Sequence, residues 1–374
     1  MNTEQIYSLV NAVNQQAFGQ AALTVADTSS LVSLGNTVLS SSQNTEAFLN
    51  ILAQRIGRTI LSYRQYRNKL ADMVINDFEY GAILQKIKVV MPTAEADEMY
   101  GLTDGQSVDH YKVAKPEVDQ KLFVTRTPYQ FHITIQRETL KEAFLSADAM
   151  GGFIGIVFGE VRNAIELSLE NLGRVTLATA ISMAGIDQKT GLGREIRLVT
   201  DYNAETGKEL TATKALHDPE FLAYAVARMN TVRDHMGDMS TMYNDGSVPR
   251  FTPPEDLRVR VISDFHRRLE TVVQFAAFHD QLVEYDGTYT TLNFWQAQQT
   301  PYNVNISNPE GETVEKNNVV AMIADRDAMG IYKIDEDVIT TPVNAAGAYY
   351  NTYWHEKQLW FIDRSENWVI FTLN

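Results

Sequence analysis

Two segments with strand-like alternation, separated by a long polar stretch, restrict the fold of this chain most. In the segment "YQFHITIQ", alternate residues fall on one face, namely Tyr129, Phe131, Ile133 and Ile135. Upstream, "ILQKIKVVM" at residues 83–91 alternates apolar residues with Lys86 and Lys88. This alternation is typical of strands with one buried face. If the two strands pair, the roughly 37 residues between them form a two-stranded extension of up to roughly 60 Å.

Composition indicates a globular protein that can bury a normal core. The 374 residues are 44% hydrophobic and 21% charged, which is enough for two or three domains. Without cysteine, the chain has neither disulfides nor thiolate sites. No apolar stretch is long enough for a membrane helix, and the N-terminus has no signal segment, so we expect a soluble intracellular protein. The net charge of −15 argues against tight phosphate binding.

Helical periodicity predicts three helices. Thr45 is a candidate N-cap for a short helix that ends near Gly57. A long helix is expected over about residues 152–184, with an apolar stripe of Ile154, Phe158, Val161, Ile165, Leu169 and Leu172. A third begins at Asp218, with Pro219 at its first position and Leu222, Val226, Met229 and Val232 facing inward.

The remaining pattern predicts strands in the last third and a polar segment at the start. Residues 1–47 are rich in small polar residues and are expected to form an arm that packs on something else. Arg258 and Arg260 alternate with apolar residues, which predicts an exposed arginine face. At the C-terminus, apolar runs at 359–362 and 368–373 flank five polar residues, which is typical of a hairpin.

Motifs for catalysis are weak. The chain has no Gly-rich phosphate loop and no HExxH motif, and its seven histidines are scattered. The best enzymatic candidate is a metal-dependent hydrolase that uses His279, Asp280 and Asp286. A polar helix end and turn is the simpler interpretation of these residues, and we favour it. We therefore assign no catalytic residue, no metal and no cofactor.

The order of the segments resembles a known family. The relevant sequences are "FLNILAQRIGRTI", "FHITIQRETLKEAF" leading into "FIGIVFGEVRNAIELSLENL", and "VVAMIADRDAMGIY" followed by "YYNTYWHEKQLWFIDRSENWVIF". Together they resemble tailed-bacteriophage major capsid proteins of the HK97 fold, in particular the phi29-type podophage branch. The resemblance spans nearly the whole chain. It rests on the order and spacing of segments rather than on a catalytic motif.

This resemblance implies an α+β fold with named parts. Residues 1–47 would be the N-terminal arm, and 75–136 the extended loop that reaches over a neighbouring subunit. The peripheral domain would comprise 48–74, 137–204 and 319–374, with the 152–184 helix as its spine. Residues 205–318 would form the axial domain, whose tips meet around the symmetry axes.

The implied function is structural. The chain would assemble as pentamers and hexamers into an icosahedral head around double-stranded DNA, with scaffolding and portal proteins as partners and no membrane contact. It would assemble in the host cytoplasm and reside in the virion capsid. The expected intersubunit contacts are Tyr129, Phe131, Ile133, Ile135, Lys112 and Lys115. Alternatives are an encapsulin-like compartment shell, within the same fold, and the metal-dependent hydrolase.

Overall fold

A computed structural model describes most of the chain. The described residues are 3–19, 23–56, 66–75, 84–92, 94–95, 97–109, 111, 113, 115–116, 118–189, 193–276, 288–307 and 313–374. Their helices are α1 (Thr3–Phe18), α2 (Thr28–Leu39), α3 (Ser42–Ile56), α4 (Arg137–Ala143), α5 (Ala147–Phe153), α6 (Gly159–Lys189), α7 (Leu198–Thr206), α8 (Ala212–Ala215), α9 (Pro219–Gly237) and α10 (Ser263–Ala276).

The strands of the described residues form two sheets and two short two-stranded ribbons. They are β1 (Val74–Ile75), β2 (Leu84–Val89), β3 (Val118–Phe123), β4 (Arg126–Gln136), β5 (Glu195–Arg197), β6 (Leu257–Ile262), β7 (Thr288–Leu292), β8 (Val304–Ser307), β9 (Thr313–Lys316), β10 (Val319–Asp325), β11 (Met329–Thr340), β12 (Tyr349–Ile362) and β13 (Trp368–Thr372). One sheet has the order β1-β11-β12-β4 and the other the order β5-β13-β10-β6-β7. The ribbons are β2-β3 and β8-β9.

The N-terminal segment folds as helices that share the core of the first sheet. Asp27 caps α2, because its Oδ1 accepts a hydrogen bond from Ser30 N at 2.8 Å. Side chains of α1, α2 and α3 lie in one buried cluster with Phe158 and Trp354. The segment expected to form an arm that packs on something else thus packs, over its described residues, on the rest of its own first core. Thr45 is not an N-cap: it lies inside α3, and its hydroxyl donates to Val38 O at 2.9 Å.

The long helix is confirmed, although it begins earlier than expected. It runs through α5, a π-helical turn at Ile154–Phe158 and α6, roughly 65 Å at about 1.5 Å per residue. Ser146 caps its start, with Oγ accepting from Ala149 N at 3.1 Å. All six residues of the predicted apolar stripe are buried. Further along, Leu177 and Ile181 face a separate cluster at the second sheet, so one helix supports both sheets.

The second sheet is buried on both faces. One face packs against α7, α9 and α10, and the other against the C-terminal part of α6. The third predicted helix is confirmed as α9, with Asp218 Oδ1 accepting from Glu220 N at 2.9 Å and with all four predicted inward residues buried. The prediction of an exposed arginine face is wrong, because Arg260 is 2% exposed and its Nη2 donates to Asp72 Oδ2. Strands β10 and β13 join this sheet, while β11 and β12 belong to the first.

Two expected strand pairings are also wrong. The "YQFHITIQ" strand is confirmed within β4, but its partner is β12; the upstream strand β2 pairs with β3. The expected C-terminal hairpin is absent among the described strands, because β12 and β13 lie in different sheets. Residues 363–367 cross between those sheets as a buried connection. Their side chains contact the β2-β3 ribbon and the 250–252 segment, so these residues do not form a solvent-exposed turn.

Candidate assembly interface

The ribbon, defined here as β2 with β3, has two chemically different faces. The strands are antiparallel, with Leu84 opposite Phe123 and Val89 opposite Val118. Side chains at even positions of β2 and odd positions of β3 point toward the rest of the molecule. The other positions form the outer face. Residues directly opposite in an antiparallel pair share a face, so the register alone determines this division.

The outer face is exposed and mostly apolar, with Gln85 and Gln120 as its polar residues. Ile87 is 60% exposed, Val89 58%, Val118 53% and Leu122 57%. Met91 and Val124 continue the same apolar surface beyond the strand ends. A soluble monomer rarely presents a contiguous group of large aliphatic side chains, and such groups mark protein contacts. This face is therefore a candidate surface for another protein chain.

The inner face is held by buried ion pairs. Lys86 Nζ lies 3.1 Å from Asp363 Oδ2 and 2.8 Å from Glu366 Oε1. Lys88 Nζ lies 2.9 Å and 2.7 Å from the same two oxygens, and it also contacts Ser365 Oγ. On β3, Lys121 Nζ lies 3.3 Å from Asp363 Oδ1. Three lysines of the ribbon thus converge on the connection between β12 and β13.

The lysines keep both carboxylates ionised. Burial alone would raise the pKa of Asp363, but the charges of Lys86 and Lys88 and the Ser365 hydrogen bond hold that pKa well below its usual range. Burial also opposes ionisation of Glu366, and the two lysines lower its pKa in the same way. Glu366 and Asp363 in turn raise the pKa of Lys86 against the opposing effect of burial. The ribbon is therefore attached by charges that persist at neutral pH.

Aromatic and backbone contacts fix the base of the ribbon. The Phe123 ring lies 5.3 Å from the Phe361 ring, centroid to centroid. Trp360 N donates to Thr125 O at 3.2 Å, and β4 then continues along β12. A two-stranded ribbon is marginal alone in water. Here its inner face is anchored to the body while its outer face stays uncovered.

The contact residues predicted from sequence lie at different places. Ile135 is buried in the chain's own first core, and Tyr129, Phe131 and Ile133 pack against it half-buried. That core occupies most of the face, so a contact of these residues with a neighbouring subunit stays a prediction. Lys115 is exposed in the loop beyond the ribbon, and Lys112 lies outside the described residues.

The ion-pair cluster was missed by sequence reasoning. The alternation of Lys86 and Lys88 with apolar residues predicts a solvent-facing polar side and a buried apolar side, and the structure inverts both. The acidic partners Asp363 and Glu366 are close to the C-terminus, in the five polar residues that the sequence predicts as a hairpin loop. Two polar runs of opposite charge, each beside strand residues, were the only signal for this pairing.

Residues of the hydrolase alternative, His279, Asp280 and Asp286, fall outside the described residues. Across the residues that the structure does describe, no group of three or more His, Asp or Glu side chains is arranged to hold a metal ion. Over the same part of the chain, no helix combines the length and the apolar character that crossing a membrane requires.

Sequence comparison identifies relatives along nearly the whole chain. The model of the family described as "Phi29-like phage major capsid protein" matches residues 10–372. The major capsid protein of Bacillus phage B103 is 22% identical over 378 aligned residues, covering 99% of this chain and 74% of that protein. The major capsid protein of Bacillus phage PZA is also 22% identical, covering 98% and 72% respectively.

Solved structures show the same fold at low sequence identity. A chain in the capsid structure of Staphylococcus phage Andhra has a TM-score of 0.53 and 11% identity, covering 84% of this chain and 87% of that one. A chain from a structure of the head fiber and inner core protein gp22 of native bacteriophage P68 has a TM-score of 0.51 and 12% identity, with the same coverage. These two structures show the fold alone, whereas the family match supports a phage major capsid protein and neither an encapsulin-like shell nor a hydrolase. The chain belongs to the family of Phi29-like phage major capsid proteins, and its α+β architecture is the HK97-like capsid fold.

Proposed function

We propose that this chain is the head subunit that self-assembles into an icosahedral shell around the double-stranded DNA of a tailed phage. Its principal partner is itself, as pentamers and hexamers, and scaffolding and portal proteins take part in assembly in the host cytoplasm. The finished subunit resides in the virion capsid, and its role is structural rather than enzymatic. Family membership supports the capsid role, and the ribbon supports the mode of association.

The observation that carries the proposal is the exposed apolar outer face of an anchored ribbon. Fully burying a Val, Leu or Ile side chain is worth about 1.5–3 kcal/mol, so covering Ile87, Val89 and Leu122 supplies several kcal/mol. The ion pairs on the inner face fix the orientation of the ribbon before contact, which reduces the entropy lost on association. A neighbouring subunit is the partner that this arrangement suits.

Further contacts are proposed from the family resemblance. Lys112 and Lys115, in the extended loop expected over residues 75–136, are proposed to contact the neighbouring subunit. Tyr129, Phe131 and Ile133 contribute the part of their surface that their own core leaves uncovered. Residues 205–318 correspond to the axial domain around the symmetry axes.

The net charge fits a DNA container that does not bind its contents tightly. A chain of net charge −15 provides little counterion release on contact with phosphates. DNA therefore lies near the shell by confinement and is not recognised by sequence.

The outer face can be tested with a triple variant, Ile87→Ser, Val89→Ser and Leu122→Ser. We expect a folded monomer with an unchanged circular dichroism spectrum but no shells in negative-stain microscopy, when the protein is expressed with its neighbouring gene products. The matched control is Gln85→Ser with Gln120→Ser, since both glutamines are exposed on the same face. Normal shells from the triple variant, or a wild-type protein that is monomeric under all conditions, would contradict the proposal.

A further inference from the structure

A second feature lies under the long helix, away from the ribbon. Between α6 and the first sheet is a cavity of about 90 Å³. Its lining comprises Ala53, Phe158, Val161, Arg162, Ile165, Glu166, Lys333, Glu336, Trp354 and Glu356. Glu336 is exposed and lies at the cavity wall, so the cavity reaches the surface there.

Glu356 is the unusual residue of this cavity. It lies on the core side of β12 and is only 2% exposed. Neither of its carboxylate oxygens has a described donor at hydrogen-bond geometry, and the buried Gln358 amide, two residues along β12, is close enough only to lower its pKa slightly against the effect of burial. The Lys333 ammonium is 3.9 Å from Oε2, beyond hydrogen-bond length. Buried carboxylates in folded proteins are normally hydrogen-bonded at close range, so this side chain has fewer close donors than its burial requires.

The charge around Glu356 favours a cation. Glu336 is its direct cross-strand neighbour on β11, and Glu166 approaches from α6. These three carboxylates face two cationic side chains, Arg162 and Lys333. The cavity therefore keeps one uncompensated negative charge when all three carboxylates are ionised. A ligand with one positive charge and N–H donors would balance it.

The walls indicate what kind of cation fits. Phe158, Val161, Ile165 and Trp354 supply hydrocarbon and aromatic surface, which suits methylene groups and the face-on approach of an ammonium. A cavity of about 150 Å³ takes the six carbons of benzene, so about 90 Å³ takes roughly four heavy atoms, and the end of a longer chain lies in the mouth at Glu336. No described carboxylates here are arranged as a metal site. We propose that the cavity binds a primary alkylammonium group, with its nitrogen on Glu356 and its methylenes against the apolar walls.

The test uses the purified full-length subunit and n-butylammonium chloride as the probe. Isothermal titration at pH 8 in about 0.15 M NaCl, which screens surface charge, is expected to show one saturable site with a dissociation constant on the order of 1 mM. Glu356→Gln removes the ionic acceptor and is expected to weaken binding by at least about tenfold. Glu336→Gln at the mouth, which carries little folding risk, is expected to weaken it by about two- to fivefold.

Two controls separate this site from general attraction to an acidic protein. Tetramethylammonium carries the same charge without an N–H donor and is expected not to saturate. Glu160→Gln removes an exposed charge of the same helix outside the cavity and is expected to leave binding unchanged. Absence of saturable butylammonium binding, or equal binding by wild type and Glu356→Gln, would overturn the proposal.

The ammonium has two sources, a free amine or a lysine side chain of another chain. Titration of assembled shells distinguishes them. If one butylammonium still binds per subunit, the site is open to free amines. If the site seen in the subunit is lost on assembly and returns on disassembly, a side chain from another chain occupies it.

Discussion

Lys88 Nζ lies 2.9 Å from Asp363 Oδ2, and the two side chains are only 5% and 0% exposed. The pair joins a strand of the ribbon to the connection between the two sheets. Desolvating two charges costs several kcal/mol each, which only close pairing and additional hydrogen bonds recover. Asp363 has both, since Lys86 and Lys121 are also nearby and Ser365 N donates to Oδ1 at 3.0 Å. All three ribbon lysines therefore share the Asp363 carboxylate, with Glu366 as a second partner of Lys86 and Lys88.

Asp363→Asn is expected to loosen the ribbon. The substitution leaves Lys86 and Lys88 with Glu366 and Lys121 with Asp245, and breaking a buried ion pair typically costs about 3–5 kcal/mol. Hydrogen exchange measured by mass spectrometry should show faster exchange over residues 84–89 and 118–123. Asp335→Asn, an exposed acid on β11, is the control and should change stability by less than about 0.5 kcal/mol. Unchanged exchange in the ribbon of Asp363→Asn would show that Glu366 and the aromatic contacts hold it without Asp363.

Lowering the pH should loosen the ribbon in the same way as Asp363→Asn. The pKa values of Asp363 and Glu366 are lower in the folded state than their ordinary values of 3.8 and 4.5. Their stabilisation is thus fully present above about pH 5 and is lost as pH falls through the folded-state pKa values. Ribbon exchange, corrected for the intrinsic pH effect, should stay constant from pH 8 to 5 and rise below about pH 4. A rise between pH 7 and 5 would implicate a different group.

The packing of the N-terminal helices can be tested with two glycines. A Cβ at Gly35 would lie 2.5 Å from Phe144 Cβ. Gly35→Ala should therefore lower the free energy of unfolding by about 1–3 kcal/mol through overpacking. A Cβ at Gly152 in α5 meets nothing within 4 Å, so Gly152→Ala should stabilise by up to about 1 kcal/mol through helix propensity. Urea unfolding followed by circular dichroism measures both. Equal stabilisation by the two substitutions would mean that α2 does not pack closely on Phe144.

Local periodicity explains which parts of the fold could be predicted from sequence. The stripe from Ile154 to Leu172 and the alternation around Ile133 each depend on neighbouring residues, and both elements exist as expected. Strand partners depend on distant residues. Strand β4 pairs with β12, more than 200 residues later, and no local pattern specifies that partner.

The candidate interface shows the same limit. Burial of Lys88 contradicts the usual rule that lysines face solvent, and it holds only because Asp363 and Glu366 arrive from near the C-terminus. Once the lysines face inward, the strand period of two places Ile87 and Val89 outward. The apolar outer face thus follows from a long-range ion pair that the local pattern does not contain.

Glu356 predicts a pH dependence of stability opposite in sign to that of Asp363. Burial raises the pKa of Glu356 from 4.5 to about 7 in the fold. The folded state then holds this proton more tightly than the unfolded state does. The stabilisation that Glu356 gives the folded state is fully present below about pH 4.5. It is lost as pH rises through about 7, which lowers the free energy of unfolding by roughly 3 kcal/mol.

Glu356→Gln should remove this dependence, because glutamine stays neutral at every pH. Urea unfolding at pH 5, 6, 7 and 8 should show wild-type stability falling across the series while the variant changes less and becomes the more stable protein at pH 8. Glu160→Gln should follow wild type, since Glu160 is exposed. Parallel curves for wild type and Glu356→Gln would mean that Glu356 is ionised and partnered in the folded subunit, because only a carboxyl that gains its proton on folding couples stability to pH over this range.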